Sequence, residues 1–372
     1  MIKKIYDQGS KIMNDTNVRT MTKKRITWVD VAKGLCMFLV IAVHTLGVGQ
    51  GGKMTMVARG VIMSFHMPLY YILSAYTYKP SENMEQFKKS AIRAAKHLLI
   101  PTVIIFIVRI IFYDRIIIER QGDIGYWIRK SLSFLMSSGV STKYAGLEVP
   151  AFGMIWFLVV LFVGRTIFDY LHLIFGEKYL LSICVLGSVA GVTLGKITTT
   201  FMCFDIALAI LPLLYFGYKL KSVDFSGKKA VLILRDALIC MMIWGALLYV
   251  TFPEYKKISY LELASRNYPI YPLCFIIAIL GTVMFCKMCC LIDKVPGANI
   301  ALRFIGKNSL YLYMIHCLDK IWDKLWTFDA SLKLQALMRC LTDLGAFVVL
   351  MLVMWGMKMI KMNLGEKISD KK

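Results

Sequence analysis

Apolar runs of about 20 residues recur along this 372-residue chain, and that is the length a helix needs to cross a hydrocarbon core about 30 Å thick. Few folds are open to such a pattern. In lipid every backbone amide must be satisfied within its own segment or a closed barrel, and continuous apolar runs answer that as helices. The length alone would suit two soluble domains. Hydropathy overrides it, because 58% of the residues are hydrophobic. The chain reads as an all-α polytopic membrane protein with about ten transmembrane helices, at about 28–49, 57–78, 98–119, 151–174, 179–195, 201–218, 230–251, 270–291, 304–326 and 336–357.

The formal charge of +22 is distributed as topology requires. Lys and Arg gather at the ends of the runs, and the tails and even-numbered loops hold roughly twice those of the odd-numbered loops. Both termini are therefore expected in the cytoplasm and the protein in the cytoplasmic (inner) membrane. A basic tail at 1–27, a transmembrane domain at 28–358 and a second basic tail at 359–372 divide the chain. No basic patch is interleaved with aromatics, which argues against nucleic-acid binding. Residues before Trp28 form no apolar segment, so no cleavable leader is expected. The cysteines sit mainly in apolar runs as small hydrophobes. Cys286, Cys289 and Cys290 lack the further Cys or His that a zinc site needs, so no metal is expected.

The run Trp28 to Gly49, WVDVAKGLCMFLVIAVHTLGVG, carries Asp30, Lys33 and His44 in an otherwise apolar segment. Ionisable groups at such depth usually face a protein interior or a wet cavity. Lys33 and His44 are eleven positions apart, almost three helical turns, so they share a face with roughly 16 Å of rise between them. Two readings stand open on spacing alone: a site built through the bilayer, or polar groups that snorkel or pair internally. Asp30 is a helical neighbour of Lys33 and its expected partner. With the assigned topology, His44, Trp156 and Asp205 share the outer level, and His66 and His316 lie nearer mid-depth. The 120–150 connection, the longest polar one, is read as an outer-surface segment or the cover of a cavity mouth.

Five stretches together resemble a known family: VDVAKGLCMFLVIAVHTLG, SFHMPLYYILSAY, RAAKHLLIP, IWFLVVLF with DIALAILPLLYFGY, and IGKNSLYLYMIH. In this order and spacing, from about residue 26 to 320, the chain resembles acyltransferase family three, membrane enzymes that O-acetylate sugars. The fucose 4-O-acetylase-like branch looks closest. Lys33 stands where many members carry Arg, Ala75 where Gly is common, and His97 where Arg is common.

The resemblance implies transfer of an acetyl group from acetyl-CoA to a hydroxyl of an envelope glycan or lipid-linked sugar. His44 would be the general base, a role that suits an imidazole near neutral pH. Lys33 would steady the donor, Arg93 and Lys96 would bind its phosphates unless they are only topology signals, and Asp205 would orient His44. His66 and His316 would bind donor or sugar, or else bond helix to helix. Trp156 would offer a ring face, or else an interfacial anchor. The competing class is a transporter or flippase for a polar solute or glycolipid.

Overall fold

The computed structural model describes residues 25–45, 53–117, 122–223, 225, 227, 229–251, 260–319, 321 and 332–369. The basic residues of 1–24, the C-terminal end of the first run and much of the ninth lie outside them. Helices dominate. Among the described residues the only strands form a hairpin, β1 (Thr142–Tyr144) with β2 (Leu147–Val149).

The first run is α1 (Thr27–Thr45). The second is two helices, α2 (Lys53–Met63) and α3 (His66–Tyr76). The break falls just ahead of His66, and Pro68 sits in the first turn of α3, where its missing N–H costs no helical bond. Asn83 caps α4 (Met84–Val108) by accepting from the Gln86 amide, and α4 runs on as π-helix over Arg109–Ile117. Then come α5 (Ile124–Met136), the hairpin and α6 (Trp156–Ile197).

At 42 residues, α6 would be about 63 Å long if straight, twice a hydrocarbon core. Gly176, at φ 62° and ψ −174°, breaks it into two membrane-length pieces. A 3₁₀ turn at Phe201–Cys203 leads into α7 (Phe204–Ala209) and α8 (Leu211–Leu220), bent by 53° at a junction next to Pro212. The chain finishes with α9 (Ala230–Thr251), α10 (Leu273–Ile292), α11 (Ala298–Lys307), α12 (Ser309–His316) and α13 (Leu332–Ser369).

Six of these helical segments are long and apolar enough to cross a membrane, seven with the bent pair α7–α8. The ten apolar runs differ from that count for a physical reason. Two of them merge across Gly176 into α6, and the second and ninth are cut into helices too short to cross alone.

α1 lies at the centre, packed against α2, α3, α10, α11, α12 and α13. Its approach to α11 is closest. A Cβ on Gly306 would stand 1.7 Å from the Asp30 carbonyl oxygen, and one on Gly34 would stand 2.3 Å from that of Leu302. Small residues let membrane helices meet backbone to backbone, and this seam sets the height of Lys33 against α12. We expect Gly306→Leu to force α1 and α11 apart and destabilise the fold by at least the ~1–3 kcal/mol typical of overpacking. Thermal melting of the detergent-solubilised protein measures it, with Gly245→Leu, where an added Cβ meets nothing within 4 Å, as the tolerated control.

Candidate active site

Two cavities, each about 200 Å³, lie back to back along α1. The first is lined by Lys33, Met37, Tyr70, Ser74, Thr77, His97, Arg165 and Ser309 among others. The second is lined by His44, Arg59, His66, Gly139, Val140, Trp156 and Glu262 among others. Val40, Met67 and Tyr313 belong to both linings, so the cavities share a wall of three side chains.

The eleven-residue spacing thus puts Lys33 in one cavity and His44 in the other. Asp30 does not pair with Lys33. Its carboxylate takes the guanidinium of Arg25, Nη2 at 2.9 Å and Nε more closely. Among the described residues no carboxylate ion-pairs with Lys33. The Tyr70 hydroxyl donates to the Lys33 carbonyl at 3.2 Å, which ties α3 to α1 at that cavity.

His66, buried at the start of α3, faces the cavity of His44, and its Nδ1 lies 3.1 Å from the Ile62 carbonyl. The helix break before Pro68 is what presents it there. Trp156 is the first residue of α6 and packs on Gly139, where a Cβ would meet its ring at 2.6 Å. The preceding turn is fixed by Gly153, at φ +80°, and by Arg109 Nη1, which donates to the Phe152 carbonyl at 2.6 Å. That positive φ suits glycine.

The ring of His316 lies 5.5 Å from that of His44, centroid to centroid. His316 Nδ1 meets Asp343 Oδ2 at 2.8 Å, and both side chains are 0% exposed. Nε2 of His316 and Oδ1 of Asp343 have no hydrogen-bond partner among the described residues. The carboxylate behind the histidine pair is therefore Asp343, on α13. Asp205 is elsewhere. Its Oδ2 accepts from Arg266 Nε at 2.7 Å, and its Oδ1 takes the Thr200 hydroxyl and Arg266 Nη2. Arg266 Nη1 reaches the Ser138 hydroxyl at 3.2 Å. The pair pins together the Leu261–Ala264 and Gly139–Val140 walls of the His44 cavity, a positioning job and not contact with His44.

Arg93 and Lys96 are exposed on α4 and line neither cavity, whereas their neighbours Ala94 and His97 line that of Lys33. A second cation, Arg165, lines that cavity with Lys33. Arg165, Arg59, Tyr313 and Asp343 escaped the sequence reading. For Arg165 and Asp343 the signal was present, since each is an ionisable group inside an apolar run. Among the described residues no cluster of His, Cys, Asp and Glu is arranged to hold a metal.

Asp205 and Arg266 are nearly sealed from solvent, with side chains 0% and 7% exposed. Removing one partner of such a pair strands the other charge, at about 3–5 kcal/mol. We expect Asp205→Ala and Arg266→Ala each to lose that much stability, and the double variant to lose less than the sum. Melting curves of the four proteins measure the coupling.

The model of acyltransferase family 3, an acyltransferase domain, matches residues 26–359. No curated protein and no solved structure matches the chain. The chain belongs to acyltransferase family 3 and is a multi-pass membrane acyltransferase.

Proposed function

We propose that this member of acyltransferase family 3 carries acetyl from cytoplasmic acetyl-CoA to a hydroxyl of a cell-envelope carbohydrate, with Lys33 on the donor side and His44 on the acceptor side. The acceptor class follows the resemblance to the fucose 4-O-acetylase-like branch. We read ten crossings, counting the broken and merged runs, which put both tails on one side, and the distribution of Lys and Arg supports the cytoplasmic side of the cell membrane. The observation that carries the reading is the pair of adjoining cavities, one holding Lys33 and one holding His44, with Val40, Met67 and Tyr313 lining both.

In this scheme the acetyl thioester reaches the shared wall from the Lys33 cavity, and the sugar enters the His44 cavity. His44 removes the hydroxyl proton as the sugar oxygen attacks the carbonyl carbon. The new C–O bond forms, the C–S bond breaks, and the proton passes to the departing thiolate. His316, held by Asp343, stands behind His44 and faces the imidazolium that forms, so the pair compensates the charge as a buried carboxylate does in other histidine sites. His66, Trp156 and Arg59 shape the acceptor side.

Membranes of expressing cells given radiolabelled acetyl-CoA test this. We expect label in glycan, and a fall of about 10²–10⁴-fold with His44→Ala, the range that a positioned base supplies. Undiminished transfer by a folded His44→Ala protein removes the assignment. Asp343→Asn is expected to lower the turnover rate, with the KM for acetyl-CoA unchanged, since it touches neither cavity. Steady-state kinetics of the purified protein measure that split.

A further inference from the structure

Lys33 and Arg165 approach one cavity from different helices, α1 and α6, and the lining contains no Asp or Glu. Arg165 has a carboxylate one turn along its own helix, but that carboxylate is taken. Asp169 accepts from the Ser81 amide at 3.0 Å, the Ser81 hydroxyl at 2.7 Å and the Tyr78 hydroxyl. No ion pair to Arg165 or Lys33 occurs among the described residues. Two cations that face one cavity with no carboxylate in its lining, and with Asp30 and Asp169 acting on them only from outside it, are costly. A bound anion would relieve both at once.

From this juxtaposition we infer that Lys33 and Arg165 form a two-cation site for the diphosphate of the acyl donor. A guanidinium offers parallel N–H donors that match phosphate oxygens in pairs, and an ammonium adds a mobile point charge. Met37, Leu158, Leu161 and Leu310 give the lining apolar stretches, and the hydroxyls of Ser74, Thr77 and Ser309 interrupt them, a mixture that suits an amide-bearing arm. Spacing supports the same direction. Lys33 lies about 16 Å along α1 from His44, and Arg165 about 13 Å along α6 from Trp156, so the anion is held one arm's length from the acceptor cavity. An extended pantetheine chain covers such a span. This inference rests on the acyl-transfer reading for the identity of the donor and on geometry alone for the anion.

The test is titration of the full-length purified protein with CoA, dephospho-CoA, pyrophosphate and pantetheine, in nanodiscs of zwitterionic lipid and of phosphatidylglycerol. Arg165→Gln is expected to weaken CoA, dephospho-CoA and pyrophosphate by about 10- to 100-fold, the range of a charged hydrogen-bonding group. Pantetheine is expected to bind with unchanged affinity, and Arg165→Lys to restore part of the loss. Equal CoA affinity in wild type and Arg165→Gln overturns the site, as does an equal loss for pantetheine. Competition by phosphatidylglycerol with no CoA binding also overturns it and assigns the cations to a lipid headgroup. If Arg165→Gln does not fold, Lys33→Gln and Arg165→Lys carry the same comparison. Arg165-dependent CoA binding without acetyl transfer refutes the enzymatic reading and leaves the anion site. Transfer with an unaltered KM in Arg165→Gln does the reverse.

Discussion

A charge brought into an apolar bundle must meet a partner or line a polar cavity, because lipid offers neither water nor counter-ion. The polar interior of this protein is arranged around that constraint. Asp30 takes Arg25, Asp205 takes Arg266, Lys287 meets Asp236, and Asp319 is bound by Arg339. Each pair joins segments far apart in the chain or closes a helix end, so neutralisation and tertiary structure are one event. Lys33, Arg165 and His44, which make no ion pair among the described residues, line the two cavities.

Helix breaks do the placing. A continuous second span would carry His66 within a regular helix. Splitting the run at Ser64 and Phe65 starts α3 at His66 and points it at the same space as His44. A straight α6 would overrun the bilayer, and the kink at Gly176 divides it into two membrane-length pieces. Trp156 owes its position to the turn held by Gly153 and Arg109.

Much of the fold class was legible in the chain because hydropathy and length decide it, and the Lys33–His44 axis was legible because both residues share one helix whose period is known. What one helix cannot report is what faces it. Asp205, expected at the depth of His44, bonds Arg266 instead, since depth constrains one coordinate and lateral position two. The carboxylate near the histidines came from Asp343, on a helix at the other end of the sequence. Arg93 and Lys96 are exposed on α4 and line neither cavity, and charge alone does not report which face of a helix meets one. The boundary read between 174 and 179 coincides with the break at Gly176, whereas the break at Ser64 and Phe65 left no trace in hydropathy, which senses apolar length and not backbone angles.

The wall of Val40, Met67 and Tyr313 has a consequence beyond the reaction. Tyr313 is tied by its hydroxyl to the Met154 carbonyl, while Met67 is unbranched and adaptable. Cell membranes store energy as a voltage, worth about 2.3 kcal/mol per charge per 100 mV. Cavities that meet at three side chains are one file of water away from a proton leak. In the proposed reaction the side chains that yield to the thioester would therefore also insulate the membrane, and a substitution that enlarges the passage would drain any gradient held across it.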